Sequence, residues 1–160
     1  MRNTRTTIAI AVIAAAGIAY GVAAQQKAPA AAAAALPKVT VYKTSSCGCC
    51  RLWVDYMKQS GFDVQAMDVS SADVRAVSKA AGLKDDDTSC HTAKIGNYVI
   101  EGHVPADDIK RLLKEKPAIA GLSAPGMPQG SPGMEQGSKE PYDVVAFTKD
   151  GKTTVFAKHK

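Results

Sequence analysis

Three cysteines, Cys47, Cys49 and Cys50, crowd into the stretch YKTSSCGCCRLWVDYM, residues 42–57. Cys47 and Cys50 have C-x-x-C spacing where a strand should give way to a helix. The free N–H groups of a helix N-terminus carry partial positive charge, so they favour ionised sulfur there. Cys49 does not fit a simple dithiol. Adjacent cysteines rarely bond each other, and a redox pair needs only two thiols. A fourth cysteine, Cys90, lies in TSCHTA and is followed at once by His91. Thiolates in numbers beyond a redox pair suit a soft metal ion.

Two further soft donors come from an internal repeat. PGMPQGS, residues 125–131, is followed directly by PGMEQGS, residues 132–138, with Pro128 exchanged for Glu135. The repeat is rich in Gly and Pro and must be a loop. Its methionines, Met127 and Met134, carry thioethers, which suit Cu(I), need no deprotonation and serve zinc or hard cations poorly. His103 is expected between a hairpin and a helix, within reach of the same face. Candidate metal ligands are therefore Cys47, Cys49, Cys50, Cys90, His91, His103, Met127 and Met134.

Each has a plainer explanation. Cys47 and Cys50 could form a structural disulfide, with Cys49 as a bystander. Cys90 could staple its loop to Cys47 or Cys50. His91 could point away from its neighbour Cys90, and His103 could cap a helix or bond a carbonyl. One of the repeat methionines could plug the loop against the core. Met57 and Met67 are expected to pack structurally, and His159 to be solvent-exposed near the C-terminus. KDDD, residues 84–87, reads as a solvated loop.

The elements that must position these groups follow from periodicity. KVTVYK, residues 38–43, alternates and is β-branched, which predicts a strand. Cys50, Trp53, Val54 and Met57 recur at helical spacing and predict a helix from Cys49 to Ser60, stopped by Gly61. FDVQAMDV, residues 62–69, alternates again, with Phe62, Val64 and Ala66 on one side. Residues 70–82 form a second helix, with Ser70 as N-cap and Gly82 at its end. Gly96-Asn97 marks a hairpin. A third helix opens at Pro105 and carries Ile109, Leu112 and Leu113 as its apolar stripe. YDVVAF, residues 142–147, and TTVFAK, residues 153–158, flank Asp150-Gly151 as a terminal hairpin.

The order β-α-β-α-β-β-α is that of an α/β, thioredoxin-like domain. Here it is extended by the Gly/Pro/Met loop and the C-terminal β-hairpin. In such a fold the third strand lies beside the first, so Cys90 should approach the C-x-x-C. Thioredoxin-like enzymes carry a cis-proline in this loop. This chain has no proline between Leu83 and Val104, and Cys90-His91 take that place.

The N-terminal region resembles an export signal. Arg2 and Arg5 precede an apolar run from Ile8 to Ala24, with Val22 and Ala24 suited to cleavage before Gln25. If uncleaved, the same segment would act as a membrane anchor. The division expected is a signal peptide over 1–24, an Ala/Pro-rich tether over 25–37, and one folded domain over 38–160. The net charge is +5, with no long run of Lys or Arg, and carries no nucleic-acid footprint.

CGCC, SCHTA, YVIEGHVPADDI, GLSAPGMPQGSPGM and YDVVAF together resemble the CopG-type periplasmic copper-resistance proteins. The similarity covers roughly residues 38 to 157. It implies a periplasmic domain binding copper through Cys47, Cys49, Cys50 and Cys90, with His and Met support, in a multinuclear, thiolate-bridged arrangement. Copper ions and other periplasmic copper-handling proteins are the partners it implies. Two other functions remain open at this point. One is a thiol–disulfide oxidoreductase using Cys47 as attacking thiolate. The other is a structural zinc site of four cysteines, or of three and a histidine.

Overall fold

The computed structural model describes residues 36–160. The expected signal segment lies outside the described residues, as does the tether apart from Leu36 and Pro37. The elements are β1 (Val39–Lys43), α1 (Gly48–Gln59), β2 (Val64–Asp68), α2 (Ser71–Ala80), a 3-10 turn (Asp85–Asp87), β3 (His91–Ile95), β4 (Tyr98–Glu101), α3 (Ala106–Glu115), β5 (Gly121–Ser123), β6 (Tyr142–Phe147) and β7 (Thr153–His159). The described residues are therefore mixed α/β, with three α-helices and a seven-stranded sheet of order β2-β1-β3-β4-β5-β6-β7.

The pairing at one end of the sheet positions the cysteines. β1 runs parallel to β2 and antiparallel to β3, with Lys43 opposite His91. The end of β1 and the start of β3 thus share one edge. Four residues after β1, Cys47 becomes the N-cap of α1, and its Sγ accepts a hydrogen bond from the Cys50 N–H at 3.3 Å. Cys50, Trp53, Val54 and Met57 then follow one face of α1 into the core. Trp53, Val54 and Met57 join Val39 and Val41 of β1, Ala93 and Ile95 of β3, and Ile109 and Leu112 of α3. Burying such side chains contributes roughly 1.5–3 kcal/mol each and fixes the helix against the sheet.

Ser70 caps α2, accepting from the Asp73 N–H at 3.1 Å. Pro105 offers no side-chain acceptor to α3. The Tyr56 hydroxyl of α1 instead accepts from the Ala106 N–H at 3.0 Å and joins the two helices.

Several expectations need correction. β5 has no counterpart in the sequence reading, because three residues, Gly-Leu-Ser, are too few to show a period. It lies parallel to β4 and antiparallel to β6, and so welds the terminal hairpin onto the main sheet. β2 is an edge strand, so its alternation does not bury a whole face. Phe62 is buried, Val64 half-buried and Ala66 exposed. Met67, expected to pack, is exposed for the same reason. His159 is not a loose terminal residue. Its ring stacks on Tyr142 and its Nε2 lies 2.7 Å from a carboxylate oxygen of Asp108, which ties the end of β7 to α3.

Candidate metal centre

The four sulfurs converge. Cys47 and Cys50 are joined by a disulfide, while Cys49 and Cys90 are free thiols. Cys49 Sγ lies 3.6 Å from Cys47 Sγ and 3.8 Å from Cys90 Sγ. Cys50 Sγ is fully buried, 3.6 Å from the Cys90 carbonyl. All four Sγ atoms lie within 4.8 Å of one another.

A second group overlaps the first. Cys90 Sγ lies 3.4 Å from His91 Nδ1 and 3.2 Å from His103 Nε2, and these three residues also meet the 4.8 Å limit. The thought that His91 turns away from Cys90 is therefore corrected. Its backbone belongs to β3, but the ring reaches back to the neighbouring sulfur. His91 and His103 are both fully buried, and their rings meet edge to face at 5.0 Å. The Trp53 ring packs against His91, tilted, with centroids 4.6 Å apart, and is anchored by donating its indole N–H to the Val104 carbonyl at 3.0 Å.

The repeat loop packs against this site unequally. His103 Nδ1 lies 2.8 Å from the Pro132 carbonyl, which can only accept. The proton therefore sits on Nδ1, and the Nε2 lone pair faces Cys90. Next along, Gly133 has φ +84, and a Cβ there would sit 2.8 Å from the Trp53 nitrogen and 3.0 Å from the Cys49 carbonyl. Only glycine lets the second PGM unit lie on the first turn of α1. Met134 is accordingly buried at 9% exposure, whereas Met127 of the first unit is 52% exposed. Two near-identical heptads thus occupy different environments.

Burial dominates the protonation of these groups. It pushes the Cys90 thiol up to about 12, helped by the adjacent Cys49. It lowers His103 and holds His91 down at about 3, with His103 adding to the effect on His91. Both rings are neutral near pH 7 and keep a bare nitrogen. His91 Nε2 is the one buried side-chain nitrogen or oxygen among the described residues with no hydrogen-bond partner. Orphaned buried polar atoms are rare and costly.

The histidine shift has a consequence for stability. Unfolded His91 gains a proton below its ordinary 6.5, while folded His91 waits until about 3. The unfolded chain binds more protons in that window, so stability decreases as the pH is lowered, by up to about 1.4 kcal/mol per pH unit. Burial raises Glu101 from 4.5 to about 7, which works in the opposite sense between those values. The two effects offset one another above 4.5 and leave the histidine loss uncovered below it. Urea midpoints of the metal-free protein should therefore drop steeply below pH 4.5, and His91→Phe should flatten that drop. An acid limb of equal slope in wild type and His91→Phe would contradict this assignment.

Sequence reasoning passed over three contributors to the site: Trp53, the Pro132 carbonyl and Glu101. Trp53 was visible only as part of the helical stripe. Glu101 stands two residues before His103 in EGH, a polar interruption at the end of an otherwise apolar strand. The Pro132 carbonyl left no trace in residue type.

Fold and site together define a mixed α/β domain with a soft, cysteine- and histidine-lined centre at the junction of β1, α1 and β3. The profile of a family described as "Protein of unknown function, DUF411" matches residues 88–134, which span Cys90, His91, His103 and both Pro-Gly-Met triplets. Two solved structures, described as forms 1 and 2 of copper resistance protein CopG, are similar to the chain at 38% identity and a TM-score of 0.71. Each is matched over 78% of this chain, and over 98% and 99% of its own length. The chain belongs to the CopG copper resistance family. No curated protein sequence matches it. Among the described residues no helix is long and apolar enough to cross a membrane.

Proposed function

We propose that this protein is a periplasmic copper-binding protein serving copper tolerance, and that it holds Cu(I) through reduced Cys47, Cys49, Cys50 and Cys90. His91 and His103 complete the coordination. The observation that carries this reading is that Cys90 belongs to two overlapping donor groups, one all sulfur and one of sulfur with two imidazoles. A thiolate can bridge metal ions, so Cys90 is suited to join copper held on the two sides. The relatives' description as copper resistance proteins points the same way. The export-type pattern of the N-terminal sequence supports a periplasmic site, where other copper-handling proteins would deliver or accept the ion.

The donor set suits this cargo. Thiolate sulfur is soft, and both imidazoles are neutral and need lose no proton to bind. Cu(I) displaces the thiol proton of Cys90 and replaces the repulsion between neighbouring thiolates with shared attraction. Met127 and Met134 serve as thioether support, Met134 from a buried position and Met127 from an exposed one.

A second reading has one observation in its favour, the Cys47–Cys50 disulfide at a helix start. Thiol–disulfide exchange with other proteins would use that bond. Against it stand the free thiol of Cys49 3.6 Å away and Cys90-His91 in the loop that faces the pair.

Metal analysis of protein isolated anaerobically from the periplasm tests the proposal. Copper bound in the reduced protein and lost when the cysteines are alkylated is the expected result. Zinc in place of copper would overturn it, as would insulin reduction at thioredoxin-like rates without bound metal.

A further inference from the structure

We propose that Glu101 is the positioning residue for the Cys90–His91 ligand pair, clamping the chain on both sides of it. Glu101 ends β4 and is almost completely buried. One carboxylate oxygen accepts from the Ser89 N–H at 2.7 Å. The other accepts from the Thr92 hydroxyl at 2.6 Å. Ser89 immediately precedes Cys90, and Thr92 immediately follows His91. A single side chain thus holds both ends of a four-residue segment whose middle two residues face the site.

The rest of the surroundings explains why a clamp is needed. β3 begins at His91, so Cys90 lies just beyond the hydrogen-bonded ladder. The Gly102 N–H reaches the His91 carbonyl at 2.9 Å, but this bond orients nothing before His91. Gly102 itself lies so close that a Cβ would sit 2.9 Å from the Ala124 carbonyl and against the Ser89 side chain. The turn from Glu101 to His103 therefore carries the carboxylate under Ser89 and the imidazole over Cys90 in one movement. Removing a carboxylate from water is costly, and two short bonds offset only part of that cost, so burial still raises Glu101. Neither group of candidate ligand atoms includes Glu101, so its buried oxygens are committed to backbone and hydroxyl and not to metal.

What the clamp serves rests on the copper reading, and the test separates the two. Glu101→Ala, Glu101→Gln and Thr92→Val are made in the full chain. Cu(I) affinity is read by competition with a chromogenic chelator. Separately, the alkylation rate of Cys90 is read in metal-free protein carrying serine at 47, 49 and 50. Glu101→Ala should weaken Cu(I) binding by about tenfold or more, as loss of a ligand's hydrogen-bonded support does. It should also speed alkylation of Cys90. Glu101→Gln should restore both values, because its amide oxygen accepts from Ser89 and its amide nitrogen donates to the Thr92 hydroxyl. Thr92→Val, which keeps the Ser89 bond, should fall between them and provides the test if Glu101→Ala does not fold. Wild-type affinity and alkylation in the folded variants would overturn the clamp. So would a Gln variant as impaired as Ala, since charge and not geometry would then be at work. Faster alkylation in a protein whose wild type binds no Cu(I) would keep the clamp and remove the copper reading.

Discussion

Cys90→Ser will cost more Cu(I) affinity than serine at any other cysteine. Cys90 is the one residue common to the four-sulfur group and the Cys90–His91–His103 group. Its Sγ lies 3.8 Å from Cys49, 3.4 Å from His91 Nδ1 and 3.2 Å from His103 Nε2. Serine fills almost the same space, so the fold should persist. Its hydroxyl is hard, does not ionise near neutral pH and cannot bridge Cu(I). The loss should exceed the ~10–100-fold that removal of a ligand's supporting hydrogen bond produces. Cys49→Ser should be milder, because Cys49 belongs to the sulfur group alone. Chelator competition on the four single variants ranks them. Wild-type affinity in Cys90→Ser would show that the two donor groups are not joined through this atom.

Copper uptake should also depend on prior reduction. In the structure Cys47 and Cys50 are bonded to each other, leaving two of the four sulfurs as thiols. A disulfide sulfur has no charge to offer and is a poor ligand. Opening the bond takes two electrons and two protons and yields two thiols, whose protons pass to solvent as the metal binds. Protein held oxidised should bind markedly less Cu(I) than protein reduced anaerobically, and reduction should restore the difference. Measuring bound copper before and after reduction, with free thiols counted in parallel, checks this. Equal stoichiometry in the two forms would mean that Cys47 and Cys50 are not ligands.

Much of this arrangement was legible because it is written in local patterns. The stripe Cys50, Trp53, Val54 and Met57 predicts α1 and its buried face, and the structure buries all four. Gly96-Asn97 predicts a hairpin, and β3 ends at Ile95 with β4 starting at Tyr98. Placing Cys90 beside the C-x-x-C needed only the rule that the third strand lies next to the first. What escaped depends on contacts distant in sequence. β5 is three residues held by its neighbours, with no period of its own. The burial of β2 depends on its place at the sheet edge, which alternation does not encode. His159 looked terminal and free because Asp108, its partner, is 51 residues away. The repeat heptads looked equivalent, but Gly133 alone packs against α1, so Met134 is buried and Met127 is not. Glu101 looked like an ordinary strand-end carboxylate until Ser89 and Thr92 were found on its two oxygens.

X-ray absorption at the copper edge, on anaerobically reduced and Cu(I)-loaded protein, decides whether the cysteines bridge copper. Cu(I) should sit in a shell dominated by sulfur with a smaller nitrogen contribution, with copper–copper scattering from thiolate bridging. Cys90→Ser should lose the copper–copper signal. A shell of nitrogen and oxygen without sulfur would rule out the thiolate site, and a sulfur shell with copper–copper scattering unchanged in Cys90→Ser would rule out bridging through Cys90.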